Sequence, residues 1–255
     1  MKLLILGSGT STGVPVIACG CKVCSSKNPK NSRTRSSLLI RTDEPDSKNI
    51  LIDTATDLRA QCLANKINRV DAVLFTHPHA DHIHGVDELR AFNMAQGGPI
   101  PCYGSDYTIR RMMVMFDYIF DQNKAESWRP HLLTNIVDSK FSVFGTRITP
   151  IEIYHGRARI FGYRIGTAAY LTDCSGIPPE SVEKLKGLDV LIIGALRHKT
   201  HPTHMNVTQA LEVSGSLKPK RTIFTHLSHN IDFEEDSAKL PKGVEFAYDG
   251  MEIEV

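Results

Sequence analysis

The sequence has no long apolar run, no excess of one charge and no leader typical of an exported protein. No run approaches the roughly 20 apolar residues that a transmembrane helix needs. The 30 Lys and Arg residues against 28 Asp and Glu leave a formal net charge of only +2. The apolar run after Lys2 is short and ends in glycines, so we interpret it as a first strand. We therefore expect no membrane association, and the charge gives no reason to expect a nucleic-acid partner.

The six cysteines are also too unevenly placed for a disulfide framework. Cys19, Cys21 and Cys24 lie together, whereas the other three stand alone. A tight cluster of this kind is more typical of a metal site than of a disulfide-bonded domain. We expect a reduced compartment, and the predicted location is the cytoplasm.

The sequence does contain a repeated alternation of short β-branched runs and segments with helical spacing. Runs such as KLLIL, NILID, AVLFT and RTIFTH have the length and composition of buried strands. Helical spacing is found at 55–66, 84–96, 105–119, 178–186 and 206–217. The alternation predicts an α/β fold with sheets between helices, and hairpin-like pairs of runs indicate that the sheets are mixed.

No linker is long enough to divide the chain, so the expected organisation is one domain over residues 1–255. Two polar segments, 44–49 and 123–130, are interpreted as surface loops. The Gly-rich stretch at 7–15 lacks the G-K-[ST] ending of a phosphate-binding loop, so we interpret it as a tight turn.

Ligand-type side chains follow several of the predicted strands. Strand ends that converge on one edge of a sheet are where α/β proteins build their sites. These positions occur in both halves of the chain, at Asp53, His77, Asp81, His155, Asp173 and His226.

The densest group lies in LFTHPHADHIHG, residues 74–85. His77 and His79 alternate, so a turning loop can direct both imidazoles at one ion, while Asp81 and His82 can reach a second. Imidazole and carboxylate suit zinc, manganese or iron, and few ligands per ion leave positions open for water. The alternative is a solvated, histidine-rich loop, which is the interpretation we keep for the remaining lone histidines, His84, His131 and His198.

The string THPHADH resembles the signature of the metallo-β-lactamase-fold hydrolases, whose fold is an αββα sandwich of two mixed sheets flanked by helices. The resemblance implies two divalent metals, Zn²⁺ or Mn²⁺. The implied ligands of the first metal are His77, His79 and His155, and those of the second are Asp81, His82 and His226. Asp173 is the implied bridging ligand. Two such ions can lower the pKa of a shared water and present hydroxide at neutral pH.

The cysteine cluster has the spacing C-x-C-x2-C. Three thiolates this close together suit one tetrahedral metal ion, whose fourth ligand must come from elsewhere. His229, in THLSH, is the candidate, and the arrangement predicts a structural zinc with no open position. The alternative is three buried or redox-active cysteines.

Taken together, the Gly-rich opening, the cysteine cluster, THPHADH and THLSH resemble the phosphoribosyl 1,2-cyclic phosphate phosphodiesterases of the carbon–phosphorus lyase pathway and their relatives. The resemblance covers essentially the whole chain. It implies a metal-dependent phosphodiesterase for small cyclic or nucleotide-like phosphodiesters, and a homodimer. The implied catalytic residues are Asp81 and His204, the latter as a contact to the substrate phosphate. His201 competes for that last role.

Three other functions remain open from sequence. A tRNA 3′-processing endonuclease shares the signature but usually carries a basic, Gly/Pro/Lys-rich arm, which we do not find; the basic stretch 27–35 is interpreted as a solvated face. Hydrolysis of a β-lactam or thioester would use the same hydroxide. A non-hydrolytic relative in pyrroloquinoline quinone synthesis shares the cysteine cluster but is expected to depart from H-x-H-x-D-H, which this chain keeps intact.

Overall fold

A computed structural model describes residues 1–43, 45, 47–121 and 128–255 of the chain. Most of the predicted β-branched runs form strands. In chain order the strands are β1 (Lys2–Gly7), β2 (Ser37–Arg41), β3 (Asn49–Ile52), β4 (Ala72–Leu74), β5 (Ile100–Gly104), β6 (Leu132–Ile136), β7 (Phe141–Val143), β8 (Thr146–His155), β9 (Ala158–Ile165), β10 (Ala168–Leu171), β11 (Val190–Gly194), β12 (Arg221–Thr225), β13 (Val244–Phe246) and β14 (Glu252–Glu254).

Helices lie between the strands. They are α1 (Leu58–Ala64), α2 (Ala80–Ile83), α3 (Leu89–Gln96), α4 (Asp106–Met115), α5 (Asp117–Phe120), α6 (Pro179–Lys184), α7 (Val207–Leu217) and α8 (Phe233–Ser237), with short 3₁₀ turns at Pro29–Asn31 and Val86–Glu88. In the part of the chain that the structure describes, no helix has both the length and the apolarity required to cross a bilayer.

The strands form two sheets of seven within the described residues. Their orders are β14-β1-β2-β3-β4-β5-β6 and β13-β12-β11-β10-β9-β8-β7. In the first sheet β3 to β6 run parallel, and in the second β10 to β13 run parallel, while the remaining neighbours are antiparallel. Both sheets are therefore mixed, and the predicted αββα sandwich is confirmed.

Alternation along the strands explains the layering. On β1, Leu3 and Ile5 belong to the core between the sheets, while Leu4 belongs to the core beneath the helices of the first sheet. On β12, Ile223 and Phe224 divide in the same way between the inner core and the core beneath α6 and α7. Because successive side chains of a strand point to opposite faces, apolar runs without polar alternation produce sheets buried on both sides.

Two hydrogen bonds connect the sheets beside the histidine-rich loop. The buried hydroxyl of Tyr163 on β9 donates to the carbonyl of Phe75 at 2.8 Å, and the amide of Phe161 donates to the carbonyl of Thr76 at 3.1 Å. These contacts fix the loop after β4, in the first sheet, against the second sheet. The loops predicted at 44–49 and 123–130 lie partly outside the described residues.

Candidate metal centre

The candidate site lies where the carboxyl ends of parallel strands from both sheets meet. His77 follows β4, and Asp81 and His82 lie in the short helix α2. From the second sheet, Asp173 follows β10 and His226 follows β12. His155 is the last residue of β8, which runs in the same direction as β10 because each is antiparallel to β9. Residues far apart in sequence are thus brought to one edge.

The first group of ligand-type atoms consists of His77, His79 and His155. Their ring nitrogens all lie within 4.8 Å of one another, and Nε2 of His77 is 3.0 Å from Nδ1 of His79. His77 and His155 are buried whereas His79 is exposed. The set can therefore hold one ion from three sides and leave it accessible from the fourth.

The second group consists of Asp81, His82, Asp173 and His226, whose ligand atoms again lie within 4.8 Å of one another. Nε2 of His82 is 3.2 Å from Asp81 Oδ2 and 3.1 Å from Asp173 Oδ2. Nε2 of His226 is 3.2 Å from Oδ1 of Asp173. Asp173 also groups with His155 and His204, so its carboxylate lies between the two sets of histidines, where a bridging ligand belongs.

The backbone at the strand ends is strained. Asp53, Asp173 and His226 have φ angles of +63°, +55° and +57°, a region that costs an ordinary L-residue roughly 1–2 kcal/mol. Each of these residues follows a β-strand closely. Strain of this kind persists where the surrounding structure fixes it, and it is concentrated at functional sites.

A buried hydrogen-bond network orients the histidines of both groups. Asp53 accepts from the Thr76 amide at 2.8 Å, the Thr76 hydroxyl at 2.7 Å and Nδ1 of His82 at 2.7 Å. Since the Thr76 hydroxyl donates to Asp53, it accepts from Nδ1 of His77, 3.0 Å away. The network assigns the Nδ1–H tautomer to both histidines and leaves Nε2 of each directed into the site.

His155 is oriented in the same way by backbone carbonyls. Its Nδ1 donates to the carbonyl oxygens of Asp173 and Thr203, each at 2.9 Å, which leaves Nε2 available as a ligand. The carboxylate of Asp173 accepts from the Thr172 hydroxyl at 2.7 Å. Ligands from separate strands therefore hold one another in position.

The electrostatics favour metal-binding protonation states for most of the ligands. Burial lowers the pKa of His77 well below its usual value and also lowers that of His79, so both imidazoles are neutral. Burial would raise the pKa of Asp173, but His226 and His82 hold it well below the usual range. Burial would lower the pKa of His82, but Asp173, Asp81 and Asp53 raise it; a metal cation bound beside these carboxylates would take the place of that proton.

Unpartnered buried nitrogens test whether these residues fit metal ions. Within the described residues, Nε2 of His82 and both ring nitrogens of His226 are buried without a hydrogen bond of normal geometry, although carboxylate oxygens lie 3.1 Å from Nε2 of His82 and 3.2 Å from Nε2 of His226. Buried polar atoms in native proteins are normally paired, because leaving one unpaired costs about 1–3 kcal/mol. The unpaired nitrogens point to a missing electrophile, and the imidazole and carboxylate set matches the ligands that zinc and manganese take. The residues fit a pair of divalent ions.

Comparison with known proteins agrees with this geometry. A model of the Beta-lactamase superfamily domain matches residues 48–227. The chain belongs to the beta-lactamase superfamily. The resemblance to the metallo-β-lactamase-fold proteins that the motifs indicated is confirmed.

Within this superfamily, three relatives are informative. The crystal structure of a diphosphatase from the PhnP family is 42% identical in sequence to this chain and superposes with a TM-score of 0.91. The match covers 100% of this chain and 97% of the diphosphatase chain. An octanoyltransferase from Porphyromonas gingivalis is 38% identical over 99% of this chain but only 51% of the relative. A coenzyme PQQ synthesis protein B from Methylorubrum extorquens is 31% identical over 75% of this chain and 72% of the relative. The chain thus spans about half the length of the octanoyltransferase.

A separate cluster of ligand-type residues, the cysteine–histidine group, consists of Cys19, Cys21 and Cys24 in the N-terminal loop and His229. Nδ1 of His229 is 3.3, 3.6 and 3.5 Å from the sulfurs of Cys19, Cys21 and Cys24. A tetrahedral zinc with normal bond lengths separates sulfur from nitrogen by about 3.6 Å. A backbone hydrogen bond from Cys24 lowers the pKa of Cys21 to about 6, while burial raises that of Cys24 to about 11. The four residues fit the structural zinc that the sequence predicts.

The loop between β11 and α7 places His204 beside both histidine groups. Its ring stacks on His226 with centroids 4.8 Å apart and lies 4.8 Å from the ring of His155. Nδ1 of His201 instead accepts from the Thr203 amide and lies near the Thr203 hydroxyl, at 3.3 and 3.2 Å. His204 therefore lies against the candidate ligands, whereas His201 is one ring further away, 5.1 Å from His204.

Two residues that matter for the site have no assigned role in the sequence analysis. Asp53 is noted there only as a strand-end residue, and Thr76 is not noted. A sequence signal for Thr76 is the repeated Thr beside the candidate ligands, at Thr76–His77, Thr172–Asp173 and Thr225–His226. The hydrogen bond that Nδ1 of His82 donates to Asp53 has no comparable signal, because the two residues are separated by 29 positions.

Proposed function

We propose that the protein is a metal-dependent phosphodiesterase that hydrolyses small cyclic or nucleotide-like phosphodiesters. The observation that supports this most is the convergence of two histidine groups around one buried aspartate, Asp173. Two divalent ions held there would supply a water-derived nucleophile at neutral pH and neutralise charge on a phosphoryl oxygen. We propose Zn²⁺ or Mn²⁺ for this pair.

The protein's own residues would then bind and orient the substrate. Burial lowers the pKa of His204 to about 3, so its imidazole is neutral at physiological pH. A neutral ring donates one hydrogen bond, and its position against His155 and His226 directs it at a phosphoryl oxygen between the two groups. Asp81 and Asp173 are acceptor-only when ionised and would hold the metal ions together with the histidines.

The decisive experiment compares the wild type with Asp173→Ala for hydrolysis of bis(p-nitrophenyl) phosphate with added Mn²⁺ or Zn²⁺. We expect the variant to lose at least about 10³-fold in kcat/KM, because it lacks the residue that connects both groups. Asp189→Ala, which removes an exposed carboxylate paired with Lys220, is the matched control and is expected to keep full activity. A wild type without phosphodiester turnover under any divalent ion would contradict the proposal.

A second candidate is hydrolysis of a diphosphate bond, favoured by the 42% identical neighbour titled a diphosphatase. Both reactions place a phosphorus atom at the same centre, so the geometry accommodates either. Diadenosine diphosphate and a 2′,3′-cyclic nucleotide, assayed side by side, separate them by kcat/KM. We do not extend octanoyl transfer to this chain, because the match covers only 51% of that relative.

We further propose that Cys19, Cys21, Cys24 and His229 hold one structural Zn²⁺. The distances from the three sulfurs to Nδ1 of His229 support this. We also propose that the substrate is a small molecule and not a nucleic acid, that the protein is a homodimer and that it is cytoplasmic. Light scattering tests the dimer, and cell fractionation tests the location.

A further inference from the structure

Arg33 is the largest side chain that is fully buried, with 1% of its surface exposed. Transfer of a cation into a protein interior is unfavourable unless it is paired, and burial lowers the pKa of Arg33 to about 10. Within the described residues its hydrogen bonds go only to neutral oxygens: the carbonyls of Ser228 and Ile231 at 3.1 and 2.9 Å and the Asn31 side chain at 3.0 Å. A buried cation without a direct carboxylate partner requires a reason.

One reason for burying this cation is its position between the two parts of the cysteine–histidine group. Its backbone pairs with that of Val14 through two hydrogen bonds of 2.7 and 2.8 Å, and the amide of Val16 donates to Sγ of Cys24 at 3.3 Å. On the other side, Ser228, whose carbonyl Arg33 holds, directly precedes His229. Arg33 is therefore connected to the thiol segment and to the imidazole segment at once.

Charge balance supplies the second reason. Three thiolates and a neutral imidazole around a divalent ion sum to one negative charge, and a neighbouring arginine is a standard means of stabilising thiolates. The two nearby lysines have other partners: Lys22 pairs with Glu235, and the Lys30 ammonium lies 4.4 Å from the centre of the Tyr248 ring. Arg33 is therefore the cation considered for the cysteine–histidine group. Asp249 is the carboxylate that acts most on Arg33.

Asp249, however, does not neutralise the guanidinium by direct contact. Its two oxygens accept four hydrogen bonds, from the amides and hydroxyls of Ser8 and Thr34, at 2.6 to 2.8 Å. Asp232 and Asp236 also act electrostatically on Arg33, and so does Cys24, which places the guanidinium within electrostatic range of the cysteine group.

We propose that Arg33 is a positioning residue for the cysteine–histidine centre: it supplies the charge that balances the thiolates and holds the turn that carries His229. This inference rests on the structural Zn²⁺ proposed above. His226 lies three residues before His229, so one short segment of chain connects the residues that Arg33 contacts to the second histidine group. Loss of Arg33 is therefore expected to weaken the cysteine centre first.

The test uses full-length Arg33→Met, which removes the charge at similar length, and Arg33→Lys, which keeps it. Zn²⁺ affinity of the cysteine centre is measured by competition with a chromophoric chelator, and Co²⁺ substitution reports thiolate ligation through its charge-transfer absorption. We expect Arg33→Met to weaken affinity 10–100-fold, the range for residues that support metal ligands, and Arg33→Lys to lose less than tenfold. The control, Arg35→Met, breaks an ion pair with Asp57 and should leave the affinity unchanged.

A folded Arg33→Met protein with wild-type Zn²⁺ affinity and an unaltered cobalt spectrum would overturn the inference. If Arg33→Met does not fold, Arg33→Lys decides: affinity within tenfold of wild type supports the role of charge, and loss of the thiolate absorption in a folded Lys variant refutes it. Wild-type protein that holds no Zn²⁺ at the cysteines would instead refute the structural centre itself, a separate failure that the same titration reveals.

Discussion

At the scale of single residues, the candidate centre depends on hydrogen bonds that fix the histidine tautomers. Asp53 is fully buried and accepts from Thr76 and His82, while burial raises its pKa despite the opposing effect of His82. Residues in this position rarely touch the metal but determine where its ligands point. Asp53 therefore supports the site by orienting His82 and, through Thr76, His77.

We expect Asp53→Asn to weaken metal binding at the group that includes His82 by about 10–100-fold. The Asp53 carboxylate accepts hydrogen bonds from both the Thr76 backbone amide and Nδ1 of His82. The NH₂ group of an asparagine at this position would face one of these two donors and could not accept from it. Calorimetric titration of Mn²⁺ into metal-stripped protein measures the change.

The matched control is Asp71→Asn, another buried carboxylate of the first sheet, which accepts from the Asn49 amide and pairs with Arg69 at the opposite end of β4. Its metal affinity should equal that of the wild type. Equal affinities for wild type and Asp53→Asn would show that the network does not orient His82.

The low pKa of His204 leads to a prediction about pH. Burial lowers the pKa of His204 to about 3, so the protonated fraction of its imidazole becomes large only near pH 3. The ring therefore stays neutral from pH 5 to 9. We expect His204→Asn to lower kcat by about 10²-fold, because the shorter side chain moves the hydrogen-bond donor away from the oxygen on which negative charge develops. The ratio to wild type should be constant over that pH range.

His201→Asn is the comparison, and its kcat should fall less than tenfold because His201 lies beyond His204 from the metal ligands. Profiles of kcat against pH with bis(p-nitrophenyl) phosphate measure both variants. A gap between His204→Asn and wild type that opens only below pH 7 would indicate a protonated imidazole and contradict this assignment.

At the scale of elements, helix and strand ends place the chemistry. Helix α7 begins at Val207, shortly after His204, and Asn206 is its N-cap residue. The side chains of Asn206 and Gln209 each accept a hydrogen bond from the other residue's backbone amide, which forms a capping box. The predicted helix at 105–119 instead divides at Phe116, whose φ and ψ are −120° and 47°. The ring of Phe116 packs edge-on against His84 at 5.6 Å, a tertiary contact that spacing alone does not reveal.

We expect Asn206→Ala to destabilise the fold by about 1 kcal/mol, because the N-cap side chain satisfies an otherwise unpaired amide at the start of the helix. Urea unfolding of the metal-loaded protein measures the loss. Thr208→Ala, an exposed change within the same first turn, is the control and should alter the free energy of unfolding by less than about 0.5 kcal/mol. Equal midpoints for both variants would contradict a stabilising cap.

At the scale of the whole molecule, the two sheets contribute complementary halves of the centre. His77, His79, Asp81 and His82 come from the first sheet, and His155, Asp173 and His226 come from the second. Neither sheet alone holds a complete group, so the centre depends on how the sheets pack. The hydrogen bond from Tyr163 to Phe75 and the apolar core between the sheets fix that packing.

We expect up to three metal ions per chain, released in two stages. The cysteine centre offers four protein ligands and no open position, whereas the paired histidine groups remain accessible through the exposed His79. A mild chelator should therefore remove two ions and abolish hydrolysis while one ion and the circular dichroism spectrum are retained. Elemental analysis along a chelator titration measures this, and simultaneous release of all ions would contradict a separate structural site.

Much of the fold class follows from local pattern. The apolar runs place most strands, and the helix predicted at 206–217 agrees with α7 (Val207–Leu217) because its spacing and its Asn cap are local signals. The ligand types and their order along the chain also follow from sequence, since THPHADH and the strand-end positions need no tertiary information. The single domain over 1–255 stays a prediction.

What the sequence by itself determined is the kind of chemistry: imidazoles, carboxylates and thiolates at strand ends, in an order that favours divalent metals. Only the tertiary structure decided which of them meet and what supports them. Asp53 reaches His82 and Arg33 reaches Ser228 across 29 and 195 positions of chain. Contacts of that kind depend on how two sheets pack their buried faces, and such packing is a property of the folded chain that no local pattern encodes.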